Sequence, residues 1–346
     1  MVVRKVLLAE PRGFCAGVEM AIKALSWMVR IFQPPVYCYH EIVHNQVVVE
    51  RFQALGVVFV ETVAEVPPGA PLMLSAHGTA PEVVEAARAR GGIVVDAVCP
   101  LVTKVHHELK VRAGKGFTVL YVGHEGHDET VGTMAEAPEA VRLVQTEADL
   151  GTLGLAGDAP VALLAQTTLS QHDWQGILDA ARVQFPELWM PGRSDLCFAT
   201  TNRQDALALI APRADSVVVL GSSNSSNTTA LAKVAEVAGC PRVLRVNGAA
   251  ELPDDLFGVV GVTAGASAPE ELVEEVIAAL APVDGVERVR VTDEDEYFPP
   301  PPELRQLVRG LANVLSIGLP RPLDPGPLLD DDRDTAAADV LRTLRS

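Results

Sequence analysis

The sequence lacks an uninterrupted apolar segment of membrane length, although hydrophobic residues make up 48% of its 346 residues. Roughly 20 consecutive apolar residues are needed to span a bilayer. Near the N-terminus, Arg4 and Lys5 precede a short apolar stretch that runs into EPRGFC, without the cleavage pattern of a signal peptide. A chain of this length and apolar content buries cores of ordinary size. We therefore expect a soluble globular protein of the cytoplasm with no membrane contact.

Positive charge is scarce. The 28 Lys and Arg residues are outnumbered by 45 Asp and Glu residues, which gives a formal net charge of −17. Such a chain repels polyanions, and no stripe of basic residues interleaved with aromatics is present to follow a phosphate backbone. We therefore expect no nucleic-acid partner. A small phosphorylated ligand remains compatible, because local hydrogen-bond donors bind phosphate whatever the global charge.

The cysteines do not form the pattern of a disulfide framework. There are five, an odd number spread over a long chain, which favours reduced thiols in a reducing compartment. Cys-x-x-Cys pairs, which are typical of zinc sites, are absent. Cys38 lies in the apolar PVYCYH, and Cys240 follows Gly239 in a turn. We interpret these two as packing residues.

Short apolar runs alternate with amphipathic, helix-like segments along the chain. Continuous apolar runs of this length are typical of buried parallel strands. The predicted strands lie in VVRKVLLAE, LMLSAHG, GGIVVDAVC, FTVLYVGHEG, VALLAQTT, SVVVLGSSNSSN and VVGVTAGAS. The pattern predicts an α/β fold, in which ligand sites form at the carboxyl ends of the strands.

The other three cysteines lie at similar junctions. Cys15 in EPRGFCAGV, Cys99 in VDAVCPLVTK and Cys197 in SDLCFATTNRQDA each follow an apolar or extended segment and precede a helix-like one. A thiol at a helix N-terminus has its thiolate form stabilised by the exposed N–H groups. The regular spacing suggests three modules of similar plan, each of which delivers one thiol to a common centre.

Three converged thiols leave several interpretations open. A structural zinc site usually has four protein ligands. An iron-sulfur cluster held by three cysteines leaves one iron open for a substrate oxygen. Chance placement of buried cysteines is the third interpretation.

Hydroxyl-rich loops follow two of the predicted strands. GSSNSSNT contains Ser225, Ser226 and Asn227, and TAGASAPE contains Ser267. Backbone N–H groups and hydroxyls in such loops cradle an anion, although the lysine of a P-loop is missing. The first loop also suits an ordinary turn with an N-cap.

Histidines lie on further loops. His44 in IVHNQVV, His77 in SAHGTAPE and His127 in GHEGHDETVGT are candidate donors to a diphosphate. GHEGHDE is also compatible with a metal site formed by His124, His127 and Glu129, but a glycine-punctuated loop is a poor rigid support for one.

Nine motifs together closely resemble one enzyme family, the 4-hydroxy-3-methylbut-2-enyl diphosphate reductases. In order, they are RGFCAGV, VHN, AHG, DAVCPLV, GHEGHDE, QTTLS, CFATTNRQ, GSSNSSNT and TAGAS, and the resemblance covers roughly residues 3–303. The resemblance implies an oxygen-sensitive 4Fe-4S cluster with one iron lacking a protein ligand. It also implies three related α/β domains in a pseudo-threefold trefoil around that cluster. The implied reaction is a two-electron reductive dehydroxylation to isopentenyl and dimethylallyl diphosphate, the last step of the methylerythritol phosphate route to isoprenoids.

The resemblance also assigns roles to residues. It makes Cys15, Cys99 and Cys197 the cluster ligands, and it makes Glu129, with Thr167, the proton-delivery group. The implied diphosphate site consists of His44, His77, His127, Thr168, Ser225, Ser226, Asn227 and Ser267. His124 matches no ligand position in the family, so we expect it to be supporting structure.

The spacing of the cysteines predicts domains at residues 1–98, 99–196 and 197–298, followed by a proline-rich and acidic extension at 299–346. The extension departs from the family, and we expect a peripheral, partly mobile segment. No glycine-rich stretch has the spacing of a nicotinamide or flavin site, so electrons come from outside. By resemblance, the donor is a ferredoxin or a flavodoxin. A metal-dependent phosphohydrolase and a cluster-less phosphometabolite-binding protein are the alternative functions.

Overall fold

The computed structural model describes residues 2–326, 329 and 331–344. In this part of the chain the strands are β1 (Val3–Glu10), β2 (Val36–Tyr39), β3 (Val57–Val60), β4 (Leu72–Leu74), β5 (Val94–Asp96), β6 (Thr118–Val122), β7 (Val141–Val144), β8 (Val161–Ala165), β9 (Ser216–Leu220), β10 (Val243–Val246), β11 (Gly258–Ala264) and β12 (Val286–Arg290). The helices are α1 (Ala16–Ile31), α2 (Gln46–Ala54), α3 (Pro81–Ala89), α4 (Pro100–Gly114), α5 (Asp128–Met134), α6 (Glu147–Leu150), α7 (Gln171–Gln184), α8 (Phe198–Ile210), α9 (Ser226–Val237), α10 (Glu270–Leu280), α11 (Pro302–Leu315) and α12 (Ala337–Thr343).

The described strands form three parallel sheets, which confirms the predicted α/β class. Their strand orders are β10-β9-β11-β1-β12, β3-β2-β4-β5 and β7-β6-β8. The predicted apolar runs correspond to β1, β4, β5, β6, β8, β9 and β11, of which β8 and β9 are buried along their whole length. Parallel strands covered by helices on both faces need this continuous apolar character.

The chain divides into two compact units. The first comprises the residues up to Cys15, His44–Gln46 and Leu101–Glu294, and it contains two of the sheets. In it, β1 pairs in parallel with β11 on one side and β12 on the other. The first strand therefore lies in a sheet with strands from residues 216–290 rather than with its sequence neighbours. The division into three domains and an extension stays a prediction.

The second unit comprises Ala16–Val43, Val47–Pro100 and the residues from Asp295 onward. Here the C-terminal extension packs on the rest of the unit, since α11 contacts β5 and α12 contacts α1. The Ala337 amide donates to the Glu19 carboxylate of α1 at 2.7 Å. Leu304 on α11 and Leu341 on α12 are buried. The described part of the extension is thus packed on the unit by specific contacts, more closely than the sequence suggested.

Two further predictions concern Cys38 and Cys240, and both residues are buried as expected. Cys38 lies in β2, and burial raises the pKa of its thiol. The Cys240 thiol donates to the Arg242 carbonyl at 3.3 Å. None of the helices in the described ranges combines the length and the apolar character that a bilayer crossing requires.

Candidate active site

The three junction cysteines each immediately precede a helix. Cys15 is followed by α1, Cys99 by α4, and Cys197 is the N-cap residue of α8. This placement confirms the prediction that each thiol lies at the start of a helix. Cys15 and Cys197 belong to the first unit, and Cys99 belongs to the second.

The Cys197 thiol is held in place by Thr200. Its sulfur accepts from the Thr200 amide at 3.2 Å, and its thiol donates to the Thr200 hydroxyl at 3.1 Å. The pKa of the Cys197 thiol is raised to about 11, mainly by burial and also by the nearby Cys15 thiolate, while the Thr200 hydrogen bonds oppose the shift. Two of the predicted cluster ligands therefore lie close enough to influence each other's charge.

Glu129 is a buried carboxyl group on the first turn of α5. Its two oxygens accept from the Thr167 amide at 2.7 Å and the Thr167 hydroxyl at 2.9 Å. Burial raises the pKa of Glu129 to about 7, against the lowering effect of these bonds, and the charge of Asp195 adds to the increase. The Thr167 carbonyl in turn accepts from the Cys197 amide at 3.0 Å. Thr167 thus connects a carboxyl that titrates near neutrality to a predicted cluster ligand.

His127 is the N-cap residue of α5, and its Nδ1 accepts from the Glu129 amide at 3.1 Å. The pKa of His127 is lowered to about 4, mainly by burial and also by the neighbouring His44. A neutral ring with Nδ1 as acceptor carries its proton on Nε2, which is then a donor. The His44 ring lies edge-on to this ring at 5.2 Å between centroids, and its Nε2 is 3.8 Å from the Asp128 carboxylate.

A cluster of hydroxyls and one amide lies beside these groups in the first unit. The Gln166 side-chain amide donates to the Thr168 hydroxyl at 2.9 Å and the Ser226 hydroxyl at 3.1 Å. Thr168 also donates to Ser226 at 3.0 Å, and Ser226 is 3.4 Å from His124 Nδ1. The latter contact agrees with a supporting role for His124. Sequence reasoning missed Gln166, whose only signal was its place beside Thr167 at the end of a strand.

The predicted anion loop forms the N-terminus of α9. The Ser225 hydroxyl accepts from the Thr228 amide at 3.3 Å, which is the N-cap role that the sequence left open. The Asn227 amide group donates to the Thr200 hydroxyl at 3.4 Å and accepts from the Ala266 amide at 2.9 Å. Ala266 in turn accepts from the Cys15 amide at 3.1 Å. Hydrogen bonds thus connect this loop to both cysteine junctions of the first unit.

The remaining predicted residues lie in two places. In the first unit, the Ser267 hydroxyl donates to the His44 carbonyl at 2.8 Å, which holds the VHN segment. In the second unit, His77 and Cys99 follow the adjacent parallel strands β4 and β5, and the Cys99 amide donates to the Ala76 carbonyl at 3.0 Å. The structure therefore places these two residues at the same edge of one sheet.

In the first unit, parallel sheets place two cysteines at helix starts near a buried carboxyl and a hydroxyl-rich loop, an arrangement typical of an enzyme active site. Comparison with known proteins identifies the family. The family model described as LytB protein matches residues 6–281. The chain belongs to this family.

Similar proteins carry one activity in their names. A 4-hydroxy-3-methylbut-2-enyl diphosphate reductase from Rhodopirellula baltica is 49% identical over 306 residues, which is 87% of this chain and 96% of that protein. One of the same name from Beijerinckia indica is 47% identical over 308 residues, which is 87% of this chain and 97% of that protein. The solved structure of the E-1-hydroxy-2-methyl-but-2-enyl-4-diphosphate reductase from Plasmodium falciparum is 30% identical, with a TM-score of 0.86 over 90% of this chain and 99% of that chain. These findings confirm the resemblance and the fold class, and they give no support to a phosphohydrolase or a cluster-less binding protein.

Proposed function

We infer that this chain is an oxidoreductase that converts 4-hydroxy-3-methylbut-2-enyl diphosphate to isopentenyl and dimethylallyl diphosphate. Similar proteins across most of the chain are named as reductases of this substrate. The observation that carries the proposal is the Glu129 carboxyl, which is buried, bound by Thr167 and joined through that residue to Cys197. The reaction consumes two electrons and two protons, breaks one C–O bond, forms one C–H bond and releases water.

Cys15, Cys99 and Cys197 would hold a 4Fe-4S cluster in which one iron has no protein ligand. The donor set of the first unit fits such a group, because thiolates at the half-buried Cys15 and Cys197 repel each other and need a nearby cation in order to ionise together. The helix N-terminus and the Thr200 hydrogen bonds at Cys197 favour the thiolate that iron requires. When bound, the cluster supplies electrons and a Lewis-acidic iron.

Glu129 holds the proton that the leaving hydroxyl needs. A hydroxide ion is a poor leaving group, and general-acid catalysis typically contributes roughly 10²- to 10⁴-fold. With a pKa of about 7, Glu129 retains its proton near neutral pH but still releases it readily. Thr167 binds both carboxyl oxygens and orients the group.

The diphosphate would be bound mainly by neutral donors. The Nε2 proton of neutral His127, the hydroxyls of Thr168, Ser225, Ser226 and Ser267, the Asn227 amide, and the His44 and His77 rings supply hydrogen bonds. The N-terminus of α9, which begins at Ser226, adds a favourable dipole for an anion. This set holds the anion without the fixed charge of an arginine clamp.

The electrons would come from a small reduced carrier such as a ferredoxin or a flavodoxin in the cytoplasm. Turnover tests the function. Anaerobically purified protein should convert the hydroxymethylbutenyl diphosphate to the two diphosphate products only when a reduced donor is present, with no inorganic phosphate released. Phosphate release without a reductant would instead identify a hydrolase and overturn the proposal.

A further inference from the structure

Arg203 is a charged side chain with no exposure to solvent. It lies on α8, six residues after Cys197, and it is the largest fully buried side chain among the described residues. A buried charge is costly unless it is paired and hydrogen-bonded. The partners of Arg203 therefore show what this position holds in place.

Two of these partners belong to the loop that leads to Cys15. Arg203 Nε and Nη2 donate to the Gly13 carbonyl at 3.1 and 2.8 Å, and Nη2 also donates to the Phe14 carbonyl at 3.3 Å. These are the last two carbonyls before Cys15. A planar guanidinium can bind one acceptor with two N–H groups, which the single ammonium of a lysine cannot reproduce.

The positive charge of Arg203 is compensated by the Glu294 carboxylate, which binds the remaining donor, Nη1. Nη1 donates to the two Glu294 oxygens at 2.8 and 3.0 Å and to the Ala199 carbonyl at 3.0 Å. All five N–H groups of the guanidinium therefore have acceptors. The side chain joins three segments of the first unit, namely the Cys15 loop, α8 and the segment after β12.

The Cys15 loop needs this support, because Gly13 has a left-handed backbone with φ of +70°. On its other side the loop is held by two backbone bonds, from Gly13 to the Ala264 carbonyl at 3.3 Å and from Cys15 to the Ala266 carbonyl at 3.1 Å. We propose that Arg203 is a positioning residue that fixes the Cys15 loop to the helix beginning after Cys197, so that both thiols are presented together to the cluster. The proposal rests on the proposed function.

Iron release from the anaerobic full-length protein to a chelator tests this proposal. In Arg203→Met we expect release about 10- to 100-fold faster than in wild type, which corresponds to the loss of metal affinity that is typical when groups orienting metal ligands are removed. Arg203→Lys keeps the charge but loses the planar fork, so release should stay well above the wild-type rate. If Arg203→Met does not fold, the lysine variant alone carries the comparison.

Two controls separate positioning from general stability. Asn202→Ala removes a 3.0 Å hydrogen bond to Glu294 and touches neither Gly13 nor Phe14. Leu207→Ala opens a cavity in the buried face of α8 and lowers the melting temperature. Both should retain iron at close to the wild-type rate. The proposal would be overturned if Arg203→Met released iron at the wild-type rate or if Arg203→Lys fully restored that rate. It would also be overturned if the rate of iron release followed the melting temperature across all four variants.

A second readout does not depend on the cluster. In iron-free full-length protein, alkylation of Cys15 by iodoacetamide, followed by mass spectrometry, should be faster in both Arg203 variants than in wild type and unchanged in Asn202→Ala. Equal Cys15 rates in wild type and Arg203→Met would overturn the positioning role. Failure of wild type to bind iron would count only against the proposed function, because the alkylation rates still report on the loop.

Discussion

At the scale of single residues, the main feature is a buried carboxyl group that forms no ion pair with a basic side chain of the described residues. The oxygens of Glu129 are bound by Thr167, which donates two neutral hydrogen bonds, and burial shifts the pKa of Glu129 more than these bonds oppose. A raised pKa with a specific hydrogen-bond partner is typical of catalytic acids. A glutamine at this position would keep the shape of the side chain but would have no acidic proton to transfer.

We therefore expect Glu129→Gln to lower kcat by about 10²- to 10⁴-fold. Iron content and visible absorption should match wild type, because Glu129 is not a proposed cluster ligand. The measurement is anaerobic turnover of iron-matched samples. Near-normal turnover of the variant with an intact cluster would contradict the proton-holding role.

The pH dependence follows from the same group. The pKa of Glu129 is raised from 4.5 to about 7, so the carboxyl keeps its proton below pH 7 and loses it above. Turnover should fall as the pH rises through about 7, by up to about tenfold per unit. We expect this limb in the kcat profile of wild type and its absence from the residual activity of Glu129→Gln. A flat wild-type profile from roughly pH 6 to 9 would contradict the assignment.

At the scale of elements, two serines at helix N-termini of the first unit have different roles. Ser170 caps α7 by accepting from the Asp173 amide, which is a purely local role. Ser226 is the first residue of α9, and its hydroxyl binds Gln166 and Thr168 instead. The Ser226 hydroxyl therefore takes no part in capping α9, a role that Ser225 fills, and this agrees with its proposed place in the diphosphate site.

This difference predicts opposite effects for matched serine variants. Ser226→Ala should raise the KM for the diphosphate substrate about tenfold, the loss of roughly one hydrogen bond to a charged group, with little change in melting temperature. Ser170→Ala should leave KM unchanged and lower the stability by about 1 kcal/mol, as is usual for a lost N-cap. Steady-state kinetics and thermal melting of both variants test the pair. An unchanged KM in Ser226→Ala would remove it from the binding site.

The elements also show what sequence alone predicts. The starts of α1, α4 and α8 after Cys15, Cys99 and Cys197 were predictable, because a helix-like segment that follows an apolar or extended one is a local pattern. Strands β2, β3, β7, β10 and β12 were missed because they are short and only partly buried, and β12 alternates exposed with half-buried residues instead of forming an apolar run.

Contacts between residues far apart in the chain were harder to predict from the sequence. The partners of β1 come from residues 258–290, and no local pattern encodes that pairing. The pairing of Glu129 with Thr167 spans 38 residues and was expected only through the family resemblance. No local pattern indicated that Arg203 is buried, because arginine ordinarily lies on the surface.

At the scale of the whole molecule, the C-terminal extension is part of a folded unit rather than an appendage. Its buried Leu304, Val308 and Leu341 pack on the second unit, and Asp332 pairs with Lys23 of α1 at 3.4 Å. Burial of such side chains contributes roughly 1.5–3 kcal/mol each. The unit therefore depends on residues that lie far apart in the sequence.

Removal of residues 302–346 should consequently lower the melting temperature by several degrees. Leu304→Ala should do so as well, because it costs about 2–5 kcal/mol at a fully buried position. Val314→Ala, at a side chain that is 64% exposed on the same helix, is the control and should have little effect. A truncated protein that melts like wild type would show that the extension adds no stability.

For the molecule as a whole, we propose that Cys15, Cys99 and Cys197 hold an iron-sulfur cluster in a diphosphate reductase. The most direct test of this proposal is iron content, visible absorption and reductant-dependent turnover of the anaerobically purified protein, with Cys15→Ser, Cys99→Ser, Cys197→Ser and the control Cys240→Ser prepared in parallel. We predict a brown wild type and a brown control that both form isopentenyl and dimethylallyl diphosphate, and three variants that lose both the iron and the activity. A wild type that stays colourless after reconstitution would show that the protein holds no cluster. Full iron content in the three serine variants would show that these cysteines are not its ligands.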